Sequence, residues 1–500
     1  MEIKIPFLLD TDSYKAGHFQ MYPAAQEMIA YFTCRGPLSP EDQRIVYYGG
    51  KYLFDTVLSR QITMDDIHEA DAYLGTHGVQ KTPYVWPRDL WVSVVEECDG
   101  YLPFRVRMLR DGSVVYPQVP CFTITAIGKY ARLVTWFETQ LMRIWSPITT
   151  ATKSRQVWDG LRAAFDESVD EGFDYLLASR LHDFGSRGVS SAETAMVTGS
   201  AHLLSFEGTD TMIAGWLATL YNGGEPIGES VLASEHSVMT AWDSELDAVK
   251  RLIEITPEDA ILSVVADSYG YSRFLWQYLP IIAPLAKAKN LLFVVRPDSG
   301  DPVHCVLEGL RACEDAFGCT VNSKGFKVLN GAAVIQGDGI DSAIIHKITG
   351  EVLNNEYSIQ NVAFGMGGGL LQRQNRDTLK VAIKLCRIVH EDGRVRDVMK
   401  APSDDLDKMS LPGDFAVVRG LRGQGIPHVY PQETFASRGR EIDELECVWD
   451  CGPTEYEFDL FSDWRDRLNQ QWAEAPKIAE ARSPQMRAKM REVKRAILER

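Results

Sequence analysis

An α/β fold with buried parallel strands is what the sequence predicts, on three observations. Four apolar runs recur in the middle of the chain: Ala260 to Ala266, Leu291 to Val295, Ala332 to Ile335, and Asn361 to Phe364. Each ends in a polar or glycine-rich loop: Asp267-Ser268-Tyr269, Arg296-Pro297-Asp298-Ser299-Gly300, Gln336-Gly337-Asp338-Gly339, and Gly365-Met366-Gly367-Gly368-Gly369. Helical stretches lie between the runs. This alternation means an α/β barrel or a doubly wound sheet. In both, function gathers at the C-terminal strand ends, which here carry Asp, Arg and Gly. Turn formation alone would explain one such loop, but four in succession less easily.

The first part, to about Ile148, mixes short strands and helices and is rich in aromatics. Leu102 to Ile127 reads as strand-rich: Phe104-Arg105-Val106-Arg107-Met108 alternates, and Asp111-Gly112 signals a turn. A helix is expected over Lys153 to Glu171. Another is expected from Ser190, with Glu193 completing a capping box. The helix from Pro302 has Asp301 as N-cap and Gly318 past its end. Val381 to Val389 alternates into Glu391-Asp392-Gly393, a hairpin signal. Ser483-Pro484 starts a last helix with Met486, Met490, Val493 and Ile497 on one face. Its stretch carries a charged, solvated surface.

Composition bounds the function. Five hundred residues exceed one ordinary domain, and the 45% hydrophobic and 24% charged fractions are those of a globular chain. A net charge of −17 argues against nucleic acid and anionic membrane as partners. An anionic small molecule then needs local Lys and Arg to oppose the global field. Nine scattered cysteines with no C-x-x-C argue against a disulfide framework or metal site, and a reducing cytoplasm fits best. The N-terminus does not read as a signal peptide, and no apolar run is long enough to span a bilayer.

Several clusters carry chemistry. The glycines at 365 to 369 match neither a Walker A loop nor the dinucleotide fingerprint, but let backbone N–H groups approach phosphate. Arg376, Lys380 and Lys384 follow, the two lysines on one face of the alternating strand. The competing reading is a solvated basic edge. Arg296 and Asp298 at one strand end suit a phosphorylated sugar, guanidinium for phosphate and carboxylate for hydroxyls or magnesium. An internal ion pair is an equally weighted reading. In His182-Asp183-Phe184-Gly185-Ser186-Arg187-Gly188, Phe184 can stack on a flat ring and Arg187 can bind an anion. On spacing alone, a core Phe and a surface Arg is the better reading. His236, beside Glu235, is a lone histidine, more often structural than catalytic. No nucleophile elbow or zinc-protease motif occurs.

Together these motifs resemble the nicotinamide phosphoribosyltransferase family over most of the chain. The matching stretches are Thr11 to Lys15, Tyr31-Phe32 with Arg35, Leu181 to Ser191, Gly208 to Thr211, Glu235 to Ser237, and Asp267 to Tyr269. Arg296 to Gly300, Gln336 to Gly339, Phe364 to Gln372 and Arg376-Asp377 complete them. Order and approximate spacing hold from residue 8 to about 410. Thr63 to Arg88 and the stretch beyond about 412 resemble the family poorly, and Met366 stands where a smaller residue is expected.

The resemblance implies a type II phosphoribosyltransferase fold: an irregular α/β barrel plus a smaller mixed α/β domain built from N- and C-terminal segments. The expected division is 1–150, a mixed α/β domain; 151–390, the barrel; and 391–500, packing on the N-terminal domain and ending in the charged helix. It further implies a homodimer with shared active sites. Nicotinamide and 5-phosphoribosyl 1-diphosphate would give nicotinamide mononucleotide and diphosphate with magnesium. ATP, as co-substrate, would drive the reaction through a phosphohistidine at His236.

The implied roles follow residue by residue. Phe184 stacks on the pyridine ring, Tyr14 from the other subunit covers its opposite face, and Asp12 is a further substrate-binding residue. Asp210 accepts the carboxamide N–H. Arg187, His236 and Arg296 bind diphosphate. Asp298, Gly337 and Asp338 hold the ribose, and Gly368 and Arg376 the 5′-phosphate. Asp267 lies near the sugar and, with Asp298, near magnesium. Arg35, Lys384, Lys400 and Lys408 match basic positions near the phosphates and ATP.

The pyridine nitrogen carries no proton, so its attack on the anomeric carbon needs no general base. A loose, oxocarbenium-like transition state needs positioning and electrostatics, which Asp and Arg at strand ends supply. A carboxylate at Asp210 favours an amide base over nicotinate, the runner-up substrate. Two further readings compete: a non-catalytic binding or signalling protein on the same fold, and an unrelated phosphosugar barrel enzyme. Intact Arg296, Asp298, Asp210 and His236 argue against the first, and the Phe184 and Tyr14 clamp against the second.

Overall fold

The computed structural model describes residues 4–402, 409–420, 424–435 and 442–499. They form two compact units, Lys153–Gln374 and the combination of Met1–Thr152 with Asn375–Arg500.

The 153–374 unit is built on six parallel strands: β1 (Leu181–Asp183), β2 (Leu232–Ala233), β3 (Ile261–Val265), β4 (Leu292–Arg296), β5 (Ala332–Gln336) and β6 (Val362–Met366). Their order is β1-β6-β5-β4-β3-β2, so every neighbour but the first is consecutive in sequence. Such an order curls a sheet toward closure. The gap between β1 and β2 is spanned by two single-residue parallel bridges, Asp183 to Thr209 and Gly208 to Glu229. The result is the expected irregular α/β barrel.

Apolar residues dominate β3 to β6 because both faces are covered. One face, with Leu262, Val264, Phe293, Val295, Val334 and Phe364, belongs to the main core beneath the helices. The other carries a small cluster, Val294, Ala333, Ile335 and Ala363, against which Phe184 packs. The helix Pro302–Phe317 starts where expected: Asp301 Oδ1 accepts from His304 N at 2.9 Å, and Gly318 ends it at φ 83°. Ser191, not Ser190, caps the helix Ala192–His202, its Oγ accepting from Thr194 N at 3.1 Å. The expected box fails because Glu193 then sits one position too early. The long helix runs Trp145–Ser168.

The other unit, expected to be the smaller, spans more residues than the barrel unit because both chain termini contribute to it, and it holds a six-stranded antiparallel sheet. Its order is Val395–Asp397, Ala382–His390, Ala25–Thr33, Pro120–Ile127, Phe104–Met108, Glu446–Asp450. Thus Ala382–His390, which the expected division gave to the barrel, pairs with Ala25–Thr33, and the barrel unit ends at Gln374 instead of 390. The hairpin expected at Glu391-Asp392-Gly393 is present, with Val395–Asp397 as its return strand. Lys380 does not share a strand face with Lys384: it precedes the strand in a turn at φ 51°. The helix Pro484–Leu498 buries Met486 and Met490, half-buries Val493 and leaves Ile497 exposed. No helix among the described residues is long and apolar enough to cross a membrane.

Candidate active site

Parallel strands place all their C-terminal ends on one rim, so the motifs predicted at those ends converge. A cavity of about 510 Å³ opens there, and Phe184, Arg187, Asp210, His236, Arg296, Asp298 and Gly337 all line it.

After β1 the chain turns at Asp183, whose Oδ1 accepts from Gly185 N at 2.7 Å. Phe184 N donates to Met366 O at 3.0 Å, fixing the residue beside β6. Its ring takes the space left by Gly337 and Gly365, and the Arg296 guanidinium carbon is 5.4 Å from its centroid. Burial pushes the Asp183 carboxyl up to about 6, opposed by the Gly185 N–H and Thr211, with Asp210 adding to the rise. Asp210 N donates to Asp183 O at 2.9 Å, and Ser230 Oγ donates to Asp210 Oδ1 at 2.6 Å. These bonds fix the Asp210 carboxylate in the wall of the cavity that Phe184 also lines. Arg187 is 88% exposed and 3.8 Å from Glu235 Oε2, so it is free to follow an anion.

His236 follows β2. Its Nδ1 lies 2.9 Å from Ser268 Oγ, and its Nε2 lies 3.3 Å from Asp298 Oδ2 and 3.8 Å from Asp267 Oδ1. Arg296 Nη2 donates to Asp298 Oδ1 at 2.7 Å. This internal ion pair, half of the reading left open by the sequence, coexists with an open face on the cavity. Asp267, whose side chain is 3% exposed, accepts from Asp298 N at 3.1 Å and from Ser299 Oγ through Oδ2. Its buried Oδ1 has no hydrogen-bond partner among the described residues. Two carboxylates and an orphaned buried oxygen fit a divalent cation.

Gly337 faces Phe184 and Arg296, and Gln336 Nε2 donates to the Asp338 carbonyl at 3.0 Å. Gly367 also lines the cavity, and Gly368 follows it at the start of the short helix Gly368–Leu371. Asp267, Asp338 and Gly368 thus adjoin the lining residues without being among them.

The remaining expected residues lie in the other unit. Tyr14 is 54% exposed and donates to Asp12 Oδ2 at 3.1 Å. Partial burial and the Asp12 bond raise its hydroxyl pKa, while Arg376 opposes the rise. Lys384 is lowered, first by burial and then by Arg35, Lys400 and Lys15, with Glu138 opposing. Arg35 Nε donates to Lys380 O at 2.8 Å, and Arg376 pairs with Asp377 at 3.0 Å. Lys408 lies outside the described residues.

Sequence reading singled out no role for Ser230, Ser268, Glu138 or Lys15. Ser268 and Lys15 stand within quoted motifs, but their partners are 32 and 123 residues away in sequence. Ser230 and Glu138 belong to no motif at all.

Residues 179–422 match the nicotinate phosphoribosyltransferase (NAPRTase) family, and residues 6–106 match the nicotinamide phosphoribosyltransferase N-terminal domain. The chain is 37% identical over 451 residues to a nicotinamide phosphoribosyltransferase of Xanthomonas campestris pv. campestris (strain 8004), covering 89% of this chain and 94% of that one. Among solved structures, a nicotinate-nucleotide pyrophosphorylase from Pyrococcus furiosus shares the fold at TM-score 0.62 and 14% identity, over 95% of this chain and 97% of the other. The human nicotinic acid phosphoribosyltransferase does so at TM-score 0.60 and 17% identity, over 97% and 99%. The chain belongs to the nicotinamide phosphoribosyltransferase family.

Proposed function

We propose that the chain transfers the phosphoribosyl group of 5-phosphoribosyl 1-diphosphate to nicotinamide, releasing nicotinamide mononucleotide and diphosphate in NAD biosynthesis. One observation carries this reading: an aromatic ring and an oriented carboxylate, Phe184 and Asp210, open on the same cavity as Arg296, Asp298 and His236.

The Phe184 ring stacks on the pyridine, and Asp210 accepts the carboxamide N–H. This leaves the ring nitrogen free to attack the anomeric carbon as the bond to diphosphate breaks. Asp298 faces the sugar as positive charge develops there, while Arg296 and Arg187 receive the departing diphosphate. The Arg296–Asp298 bond keeps both groups in place without substrate, so little reorganisation is needed at reaction. Asp267 and Asp298 are the residues that would hold magnesium, which when bound would supply countercharge to the leaving group.

His236 is the proposed phosphoryl acceptor. An unprotonated ring nitrogen attacks the γ-phosphorus of ATP, the N–P bond forms, and ADP leaves. The resulting charge would lie beside the diphosphate site. Tyr14 is proposed to act across a homodimer, on the partner's cavity, with Asp12 as a further substrate-binding residue; Arg376 is proposed to join Gly368 at the 5′-phosphate, and Arg35, Lys384, Lys400 and Lys408 to lie near the phosphates and ATP. The exposure of Tyr14 and the cations around Lys384 support that reading. Nine free cysteines favour a reducing cytoplasm.

Incubation of the purified chain with 5-phosphoribosyl 1-diphosphate, magnesium and nicotinamide, with and without ATP, tests the reading. Nicotinamide mononucleotide should form, and faster with ATP. Absence of nicotinamide mononucleotide in both incubations would overturn it.

A further inference from the structure

Three consecutive glycines, Gly367-Gly368-Gly369, lead away from the cavity, which Gly367 lines, and include the proposed 5′-phosphate residue Gly368. Glycine loses more backbone freedom on ordering than any other residue, so this glycine loop, whose last two residues open the short helix Gly368–Leu371, is costly to hold in one shape. A Cβ on Gly368 would meet open space, whereas one on Gly369 would lie 2.8 Å from Ile340 O. The loop therefore has an open side and a packed side.

Lys153 braces this loop. Its Nζ donates to Gly369 O at 2.7 Å and to Gln374 Oε1 at 3.1 Å. Both acceptors are neutral, and Lys153 makes no ion pair among the described residues. Burial lowers its pKa to about 8, with Asp341 opposing, so the ammonium form prevails at neutral pH. A half-buried cation without a counterion is an expensive way to make two hydrogen bonds. It is explained if an anion arrives on the far side of the loop. Lys153 and Gln374 are also the first and last residues of the barrel unit, so their bond ties its two chain ends together beside the loop.

We propose that Lys153 is a positioning residue for the 5′-phosphate: bonded to the Gly369 carbonyl and Gln374, it holds Gly367-Gly368-Gly369 in receiving shape and sets a positive charge behind it. The proposal rests on the phosphoribosyl reading above. Nothing in the sequence motifs points to Lys153, which lies more than two hundred residues before the loop it braces.

Calorimetric binding of ribose 5-phosphate, which carries the 5′-phosphate but no diphosphate, tests this on the full chain, with inorganic diphosphate as the second probe. Lys153→Met should weaken ribose 5-phosphate by about tenfold or more while diphosphate binding stays within about twofold. Lys153→Arg should restore most of the loss. Lys153→Gln, which keeps a donor to Gly369 O without the charge, should fall between the two, and serves if the methionine variant does not fold. Unchanged ribose 5-phosphate binding in the Met and Gln variants would overturn the proposal, as would equal weakening of both probes. If the wild-type chain binds neither probe, the phosphoribosyl reading itself fails.

Discussion

The ring of Phe184 lies so close over Gly365 that a Cβ atom there would stand 2.0 Å from Phe184 Cε2. Gly365 is buried in β6, and its missing side chain is the space the ring occupies. Gly365→Ala must therefore displace the ring proposed to stack on the base. Overpacking of this kind costs about 1–3 kcal/mol, and lost stacking a similar amount. The KM for nicotinamide should rise about tenfold or more, with a smaller change for 5-phosphoribosyl 1-diphosphate. Steady-state kinetics alongside a melting curve separates ring displacement from general instability.

Asp210, oriented by Ser230 Oγ at 2.6 Å, should set the choice of base. Asp210→Asn removes the like-charge repulsion toward nicotinate and keeps an acceptor for the amide. The nicotinamide-over-nicotinate ratio of kcat/KM should drop by about a hundredfold, mostly through gain on nicotinate. A ratio unchanged by the substitution would remove Asp210 from the specificity argument.

His236 should carry the ATP effect. His236→Ala takes one group from the proposed diphosphate site, so the ATP-independent rate should fall by about tenfold to a hundredfold. Adding ATP should then give no stimulation, and phosphate from γ-labelled ATP should no longer stay on the protein. Retention of label by the alanine variant would assign the acceptor elsewhere.

Asp183 should make stability depend on pH. Its folded pKa is raised to about 6, above an unfolded value of about 3.9. Between these values the folded state binds more protons than the unfolded one, so this group's contribution falls as pH rises from about 4 to 6. The full loss is about 3 kcal/mol. Asp183→Asn keeps an acceptor for Gly185 N and removes the titration. The variant's denaturation midpoint should gain on the wild type as pH rises through that window; a constant difference would contradict it.

Much of the fold was legible because strand-end loops announce themselves locally. Arg296, Asp298 and Gly337 each sit directly after an apolar run, and a parallel sheet puts such positions on one rim without further information. Caps were legible to within a residue: Asp301 was right, while two adjacent serines made Ser190 and Ser191 indistinguishable until backbone geometry chose Ser191. The end of the barrel unit was not legible. The alternating strand after the glycine loop looks the same whichever sheet it joins, and only its pairing with Ala25–Thr33 decides. Lys380 failed for a related reason, because a turn at positive φ leaves no mark in a basic stretch. Ser230 and Lys153 act through contacts distant in sequence, which no local pattern encodes.

The most direct measurement is kcat/KM of the purified chain for nicotinamide and for nicotinate, side by side, with 5-phosphoribosyl 1-diphosphate and magnesium. Nicotinamide should be preferred by about a hundredfold or more, since like-charge apposition of two carboxylates across a contact costs several kcal/mol. Equal use of both bases, or a preference for nicotinate, would contradict the base-recognition role of Asp210, on which the choice of nicotinamide rests.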